Sequence, residues 1–311
     1  MKPLQRFETN AGRVIYSFPV RSFPTLTNNI YVIDDGQQYV LIDTGSGMER
    51  PNADLLAGFT AIGEHLGRSF SPADLGTILI THGHIDHFGG LPFLRQYTNA
   101  PIGVHILDRR VLSNHEERMV FAYRRLETYL EGAGVSAEER EVLMSVYLFS
   151  KTYYRSTPVQ FLLEEGRPAV GGLGVFHVPG HCPGQVCLQV DDILLTADHV
   201  LSRITPHQAP ESITLNMGLG HYLEALGKVE TLPGVRLGLG GHEEPIDDIP
   251  ARVAAIRAAH AERLGKISDI CRAPKSIAEI SRELFGRVDS CLLYTSPSPR
   301  DRTSTRMPSS A

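Results

Sequence analysis

Short apolar runs separated by turn-forming residues fill the first third of the chain. Some alternate apolar and polar positions and others are continuously apolar, and both patterns are typical of β-strands. These runs are RVIYSFPV, NNIYVID, QYVLID, TILI and PIGVHI. Asp35-Gly36 separates the second run from the third and is a hairpin signal. A helical spacing over residues 53–66 interrupts the series, so the pattern predicts a layered α/β fold.

The period of apolar positions changes to three or four residues over 108–157. Ser136 and Glu139 form a capping-box signature there, which predicts a helix start. The segment is rich in aromatic residues, and Tyr123 and Tyr153 are candidates for lining a substrate pocket. We therefore expect a helical insertion, which either caps a pocket or uses its aromatic side chains only to attach its helices to the body of the fold.

Strand-like runs return after this insertion and give way to helical spacing near residue 250. The runs are VQFLLEE, GVFHV, QVCLQVD and DILLTAD. Beyond Pro250 apolar residues recur every three or four positions, and a further capping box opens at Ser276. The pattern predicts a main domain over 1–250 and a helical extension over 251–290. The last segment, 291–311, has no apolar period; it is expected to be disordered and non-native, because it resembles translated adaptor or vector sequence.

Charge and cysteine content argue against several classes of function. The 311 residues carry a formal net charge of −5 at pH 7, so no chain-wide positive field favours nucleic acid or an anionic membrane as the main partner. No apolar run approaches the roughly 18 residues of a membrane span, and the first residues lack a secretory apolar region. The four cysteines show no CxxC spacing, which argues against a disulfide framework or a structural zinc knuckle. These features predict a cytoplasmic protein whose main partner is neither a nucleic acid nor a membrane.

The run TILI leads directly into a cluster of coordinating residues, THGHIDHFGG. His82 and His84 are two residues apart, so on an extended strand end both imidazoles project to one side and can share an ion. If the chain turns into a helix at Asp86, then Asp86 and His87 face a neighbouring position that suits a second ion. Imidazole and carboxylate ligands suit Zn²⁺, Mn²⁺ or Fe²⁺. The cluster therefore predicts a metal site rather than a solvated loop.

Three further polar residues follow strand-like or glycine-rich segments and are candidate ligands. His181 lies in PGHCPG, Asp198 ends DILLTAD, and His242 follows GLGG. Each alone is equally compatible with an ordinary loop residue. Their shared position at segment ends favours a common site.

The order of these motifs resembles that of the metallo-β-lactamase superfamily. The chain contains the HxHxDH signature as HGHIDH, together with LIDTG, PGHCPG, TADH and GGHEEPI in the usual order. The resemblance covers roughly residues 12–288 and implies an αβ/βα four-layer sandwich with a dinuclear site at one edge of its two sheets. It also implies that the segment from Pro250 is the start of a winged-helix-like extension that is cut short near Val288.

The resemblance also assigns roles to individual residues. The first metal ion would be held by His82, His84 and His181, the second by Asp86, His87 and His242, and Asp198 would bridge the pair. Asp43 of LIDTG would be an outer aspartate that steadies the histidine loop, although capping the turn before Gly45 would suit the same position. His199 and His207 are further candidates, for a place behind the ligands or at the pocket rim.

This ligand set implies a hydrolase that uses a metal-bridging hydroxide. Two divalent ions, Zn²⁺ in the first place with Fe²⁺ or Mn²⁺ as alternatives, lower the pKa of a shared water and polarise the substrate. Asp86 and Asp198 are the candidate catalytic carboxylates, and Asp86 could orient the hydroxide and pass a proton to the leaving group. The expected substrate is a thioester or another small acyl compound, as for glyoxalase II, the hydroxyacylglutathione hydrolase.

Two other activities share most of these motifs and stay open as alternatives. A single-strand endoribonuclease or phosphodiesterase is disfavoured by the acidic net charge. A mononuclear iron persulfide dioxygenase would depend mainly on His82, His84 and Asp198, and the intact second ligand set argues against it. Apolar faces on the helices after residue 250 also leave a homodimer open.

Overall fold

The computed structural model describes residues 3–151 and 154–286 and is built on two β-sheets. The first sheet has seven strands in chain order: β1 (Gln5–Glu8), β2 (Val14–Phe23), β3 (Leu26–Asp34), β4 (Tyr39–Ile42), β5 (Leu75–Leu79), β6 (Ile102–His105) and β7 (Phe161–Leu163). Neighbouring strands are antiparallel from β1 to β4 and parallel from β4 to β7. The predicted hairpin joins β3 to β4, where Asp35 Oδ1 accepts from the backbone N–H of Gln37 and Gln38 and Gly36 has a φ of 81°.

The second sheet has four strands in the order β11-β10-β9-β8. They are β8 (Gly174–His177), β9 (Val186–Val190), β10 (Ile193–Ala197) and β11 (Leu237–Gly240). Strands β8 to β10 are antiparallel, and β11 pairs with β10 in parallel. A parallel edge strand needs a crossover connection, and a helix lies in the segment between β10 and β11.

Nine α-helices lie in the described part of the chain. They are α1 (Glu49–Leu66), α2 (Ile85–Phe88), α3 (Leu91–Leu94), α4 (Ile106–Ser113), α5 (His115–Gly132), α6 (Ala137–Lys151), α7 (Leu219–Glu230), α8 (Ile249–Ile270) and α9 (Ile277–Phe285). Across residues 3–151 and 154–286, no helix has the length and apolar character to cross a membrane.

The central core lies between the two sheets because alternate residues of each strand face inward. In β3, Tyr31 and Ile33 pack with Leu188 of the second sheet, whereas Ile30 and Val32 pack with the outer helices. The alternation of residues along β3 therefore places successive side chains in two different cores, one between the sheets and one under the outer helices.

Helices cover the outer face of each sheet. Phe59 of α1 packs against Phe18 of β2, with ring centroids 6.0 Å apart. On the other side, Leu226 of α7 and Val253 of α8 pack against Leu194 of β10. The layers therefore run helix, sheet, sheet, helix, which confirms the expected αβ/βα sandwich.

Helices α4 to α6 lie between β6 and β7, in the segment where the sequence predicts an insertion. The last helix, α9, packs on them: the Ala278 N–H donates to the Ala133 carbonyl at 2.9 Å, and Arg282 pairs with Glu139 at 2.7 Å. Leu130 contributes to the small core that these helices share with α9. The end of the described chain is thereby attached to the insertion.

Some features of the sequence prediction differ from the structure or lie beyond it. Strands β1 and β11 and helix α7 were not predicted. Tyr153, the tail 291–311 and the final residues of the predicted extension lie outside the described residues.

Candidate metal centre

The histidine cluster lies where strand β5 ends and the short helix α2 begins. His82 and His84 belong to the connecting loop, and Asp86 and His87 lie in α2, as the sequence prediction requires. All four side chains are buried. His82 Nε2 and His84 Nδ1 are 3.0 Å apart, so the two imidazoles converge on one point.

The three remaining candidate ligands reach the same place from the second sheet. His181 follows β8, Asp198 follows β10, and His242 follows β11. Asp198 Oδ2 lies 3.5 Å from His181 Nε2 and 3.2 Å from His242 Nε2. The structure therefore brings all seven sequence-predicted ligands together at one edge of the two sheets.

These side chains form three overlapping groups whose ligand atoms lie within 4.8 Å of one another. The groups are His82, His84 and His181; His82, His87 and Asp198; and Asp86, His87 and His242. The first and third groups contain the residues that the sequence predicts as ligands of two separate ions. Asp198 contacts members of both, since its Oδ1 is also 3.5 Å from His87 Nε2.

Outer contacts fix the orientation of three of the imidazoles. Nδ1 of His181 donates to the His207 carbonyl at 2.6 Å, and Nδ1 of His242 donates to the Thr27 carbonyl at 2.8 Å. His87 Nδ1 lies 2.7 Å from a carboxylate oxygen of Asp43. Each contact turns Nε2 toward the centre, which is how metal-binding histidines are commonly oriented.

Several buried polar atoms at the centre have no hydrogen-bond partner. They are Asp86 Oδ1, His181 Nε2, Asp198 Oδ1 and His242 Nε2. A buried polar atom without a partner costs free energy, and these atoms all belong to residue types that bind divalent cations. The donor set therefore fits one or more metal ions.

Asp43 joins two parts of this centre. Besides His87, its carboxylate accepts from the backbone N–H and the hydroxyl of Thr81, both at 2.8 Å. Its φ of 62° is in the left-handed region, which aspartate tolerates better than most residues. The side chain therefore does more than cap a local turn: it links the start of the histidine loop to helix α2.

The electrostatic field of the pocket favours positive charge. Burial lowers the pKa of His242, but Asp198 and Asp86 outweigh it and raise that pKa to about 10. Burial likewise opposes ionisation of Asp198, yet the neighbouring His242 and His87 hold its pKa well below the ordinary value. His82 behaves differently, because burial and the adjacent imidazoles lower its pKa. A pocket with this field attracts a cation.

Asp108 is a site residue that the sequence analysis missed. It lies in the first turn of α4, is fully buried, and accepts from the backbone N–H of Gly83 at 2.7 Å and of Gly184 at 3.1 Å. Burial raises the pKa of its carboxyl group against the effect of these bonds and of the Cys182 thiol. One carboxylate thus ties the loop of His82 and His84 to the loop of His181.

The two glycines allow this close approach. A Cβ on Gly184 would lie 2.6 Å from Asp108 Cγ, and one on Gly83 would lie 3.1 Å from the same atom. Any side chain at Gly184 would therefore displace the carboxylate or the loop. The sequence around Asp108 contains no motif that predicts its role. Its two hydrogen-bond partners, Gly83 and Gly184, lie 25 and 76 residues away along the chain.

A cavity of about 450 Å³ opens beside His84. Its walls come mainly from α4, α5, Tyr147 of α6 and the loop before α7, and include His207, whose carbonyl holds His181. Tyr123 does not line it; that side chain faces a separate cavity between α5 and α6 with Met144. The ring of His199 is buried against Tyr222, with centroids 5.3 Å apart, and so packs behind the ligand loop.

Comparison with known proteins agrees with this geometry. The chain is 27% identical over 230 residues to an atrochrysone carboxyl ACP thioesterase of Aspergillus fumigatus, covering 72% of this chain and 53% of that protein. It thus spans little more than half the length of that relative. A metallo-beta-lactamase family protein of Thermus thermophilus superposes with a TM-score of 0.72 at 25% identity, over 90% of each chain. A beta-lactamase domain protein of Burkholderia ambifaria superposes with a TM-score of 0.67 at 23% identity, over 94% of this chain and 86% of that one.

The model of one protein family covers most of the sandwich and all seven candidate ligands. It is described as the Metallo-beta-lactamase superfamily, and it matches residues 24–247. The chain therefore belongs to this superfamily.

Proposed function

We propose that the protein is a dinuclear metal-dependent thioesterase acting on an acyl thioester. The observation that carries this proposal is the pairing of two three-residue ligand groups, both in contact with Asp198, beside a partly apolar cavity that His84 lines. The thioesterase name of the relative supports the choice of substrate class.

The ligand geometry supports two ions rather than one. His84 and His181 belong only to the first group, whereas Asp86 and His242 belong only to the third, so a single ion could not use every ligand atom equally well. When bound, two ions would supply Lewis acidity and an activated water. The protein supplies the alignment through Asp43, which fixes His87, and through the backbone carbonyls that fix His181 and His242.

Asp86 is placed to handle a proton. Asn28 Nδ2 donates to Asp86 Oδ2 at 3.1 Å, whereas Oδ1 of the same carboxylate is buried without a partner. Oδ1 can therefore accept the proton lost by the attacking water and return it to the departing sulfur. In the balanced reaction, water adds to the thioester carbonyl, the C–S bond breaks, and a carboxylic acid and a thiol leave.

The cavity suits an acyl group better than a nucleic acid. Its volume of about 450 Å³ lies in the range of small-molecule pockets. Leu107, Val111 and Met119 give it apolar walls, whereas RNA binding requires an extended basic surface, and the net charge is −5. The acyl part of the substrate is expected to lie against these side chains with its carbonyl at the ligand groups.

A substrate panel with matched variants tests the proposal. The metal-loaded protein is assayed with an acyl-CoA, S-lactoylglutathione, a β-lactam and a short single-stranded RNA. We expect thioester hydrolysis, its loss in Asp198→Ala and His181→Gln, and its retention in His65→Gln, which alters an exposed histidine on α1. Cleavage of RNA alone, or full thioesterase activity in Asp198→Ala, would refute the proposal.

A further inference from the structure

The cavity beside His84 contains two arginines that the metal centre does not use. Arg118 and Arg125 both line it from α5. They are seven residues apart, so they lie on one face of the helix, about 10 Å apart along its axis. Ala122, four residues after Arg118, occupies the same face between them.

Neither guanidinium group is neutralised by a carboxylate in the part of the chain that the structure describes. Acidic residues close in sequence are engaged elsewhere: Glu116 accepts from the Ser156 N–H at 3.1 Å, and Glu117 pairs with Arg110 at 2.9 Å. The guanidinium group of Arg125 donates to the Ile213 carbonyl at 3.3 Å, and both residues line the cavity. A neutral carbonyl does not cancel the charge of the guanidinium group.

The remaining lining leaves the cavity with a net positive charge. Asp108 is the only carboxylate among the described lining residues, and the N–H groups of Gly83 and Gly184 occupy its oxygens. The lining of the cavity also includes apolar side chains, among them Val111 and Met119. A ligand that fills this space therefore meets the candidate metal ligand His84 and two arginines that no described carboxylate neutralises.

We infer that the cavity selects thioesters that carry an anionic group beyond an apolar segment, and that Arg118 and Arg125 bind this group. The inference rests on the proposed thioesterase activity and narrows its substrate class. Guanidinium groups bind carboxylates and phosphates through charge-assisted hydrogen bonds. The anion has two sources: a carboxylate on the acyl chain, or a phosphate on a pantetheine-type thiol.

Four matched substrates separate the two sources. Octanoyl and suberyl groups differ only by a terminal carboxylate, and each is prepared as the coenzyme A thioester and as the N-acetylcysteamine thioester, which lacks phosphate. The variants are Arg118→Gln and Arg125→Gln. Arg124→Gln is the control, because Arg124 is an exposed arginine of the same helix that does not line the cavity.

We expect each cavity variant to raise KM about 5- to 10-fold for substrates that carry the recognised anion, with kcat changed less than about 2-fold. A rise confined to suberyl thioesters identifies the acyl carboxylate. A rise confined to coenzyme A thioesters identifies the phosphate. KM values equal to those of Arg124→Gln for all four substrates would overturn the inference.

Failure of the underlying activity is distinguishable from failure of this inference. If the unmodified protein hydrolyses none of the four thioesters, the thioesterase proposal fails. Calorimetric titration of the metal-loaded protein with coenzyme A and with suberate then tests the arginines alone. Binding weakened about 5-fold or more in Arg118→Gln supports the anion site, whereas absent binding or equal affinity in both proteins contradicts it.

Discussion

Replacing Asp108 with alanine removes the carboxylate that joins two ligand-bearing loops. The backbone N–H groups of Gly83 and Gly184 would lose acceptors at 2.7 and 3.1 Å, in a region where Asp108 is fully buried. A hydrogen bond to a charged group contributes about 1.5–3 kcal/mol, so the two bonds together represent about 3–6 kcal/mol. Removing a buried carboxylate also relieves its desolvation, which offsets part of this loss.

The net expectation is that Asp108→Ala lowers the free energy of unfolding by about 2–4 kcal/mol. The looser loops should also weaken metal binding about 10- to 100-fold, the usual effect of losing an outer contact. Denaturant unfolding of the metal-free protein measures the first quantity, and competition with a chelator measures the second. Asp247→Ala, at an exposed aspartate, is the control. An Asp108→Ala protein as stable and as tightly metal-binding as this control would refute the role of Asp108 as a link between loops.

Three further predictions test other parts of the structure. Asp43→Asn should weaken metal affinity about 10- to 100-fold in chelator competition, and unchanged affinity would contradict its orienting role. Gly184→Ala places a Cβ 2.6 Å from the Asp108 carboxyl carbon and should cost about 1–3 kcal/mol in denaturant unfolding. Gly220→Ala, in open space within α7, should cost nothing, and equal losses in both glycine variants would argue against the clash. Burial lowers the pKa of His260 to about 4, so between pH 6.5 and 4 the unfolded chain binds a proton that the folded state excludes, and stability falls as pH falls through that window. From pH 7 to pH 5 the unmodified protein should lose about 1 kcal/mol more than His260→Gln, after allowance for partial solvent screening, and parallel losses would contradict this pKa.

The sequence was most informative where structure follows from local periodicity or from a dense motif. Strand β3 alternates between two cores, and its period of two is visible in NNIYVID. The four coordinating residues of HGHIDH lie within six positions, so their convergence needs only a strand end and one helical turn.

Elements that depend on distant partners were less visible. Strand β11 reads LGLG, whose glycines have low β propensity, and it forms by pairing in parallel with β10. Helix α7 has a buried apolar face, but Gly220 and Gly227 lower its helix propensity and the segment was not predicted.

Side-chain direction on the insertion could not be read from composition. Neighbouring residues on a helix point about 100° apart, so Ala122 lines the cavity beside His84 while Tyr123 faces the space between α5 and α6. Aromatic character alone does not tell which face of α5 a side chain lies on, and a substrate contact of Tyr123 stays a prediction. Asp108 was missed for a related reason, since its partners lie on two loops that only the tertiary fold brings together.

The number of metal ions per chain tests the central claim most directly. The protein is loaded with Zn²⁺, Mn²⁺ or Fe²⁺ in turn, passed over a desalting column and analysed by inductively coupled plasma mass spectrometry. Two ions per chain are expected for at least one metal, falling to about one in His84→Ala and in His242→Ala, because each variant loses a ligand from only one group. One ion or fewer per chain with all three metals would contradict a dinuclear centre.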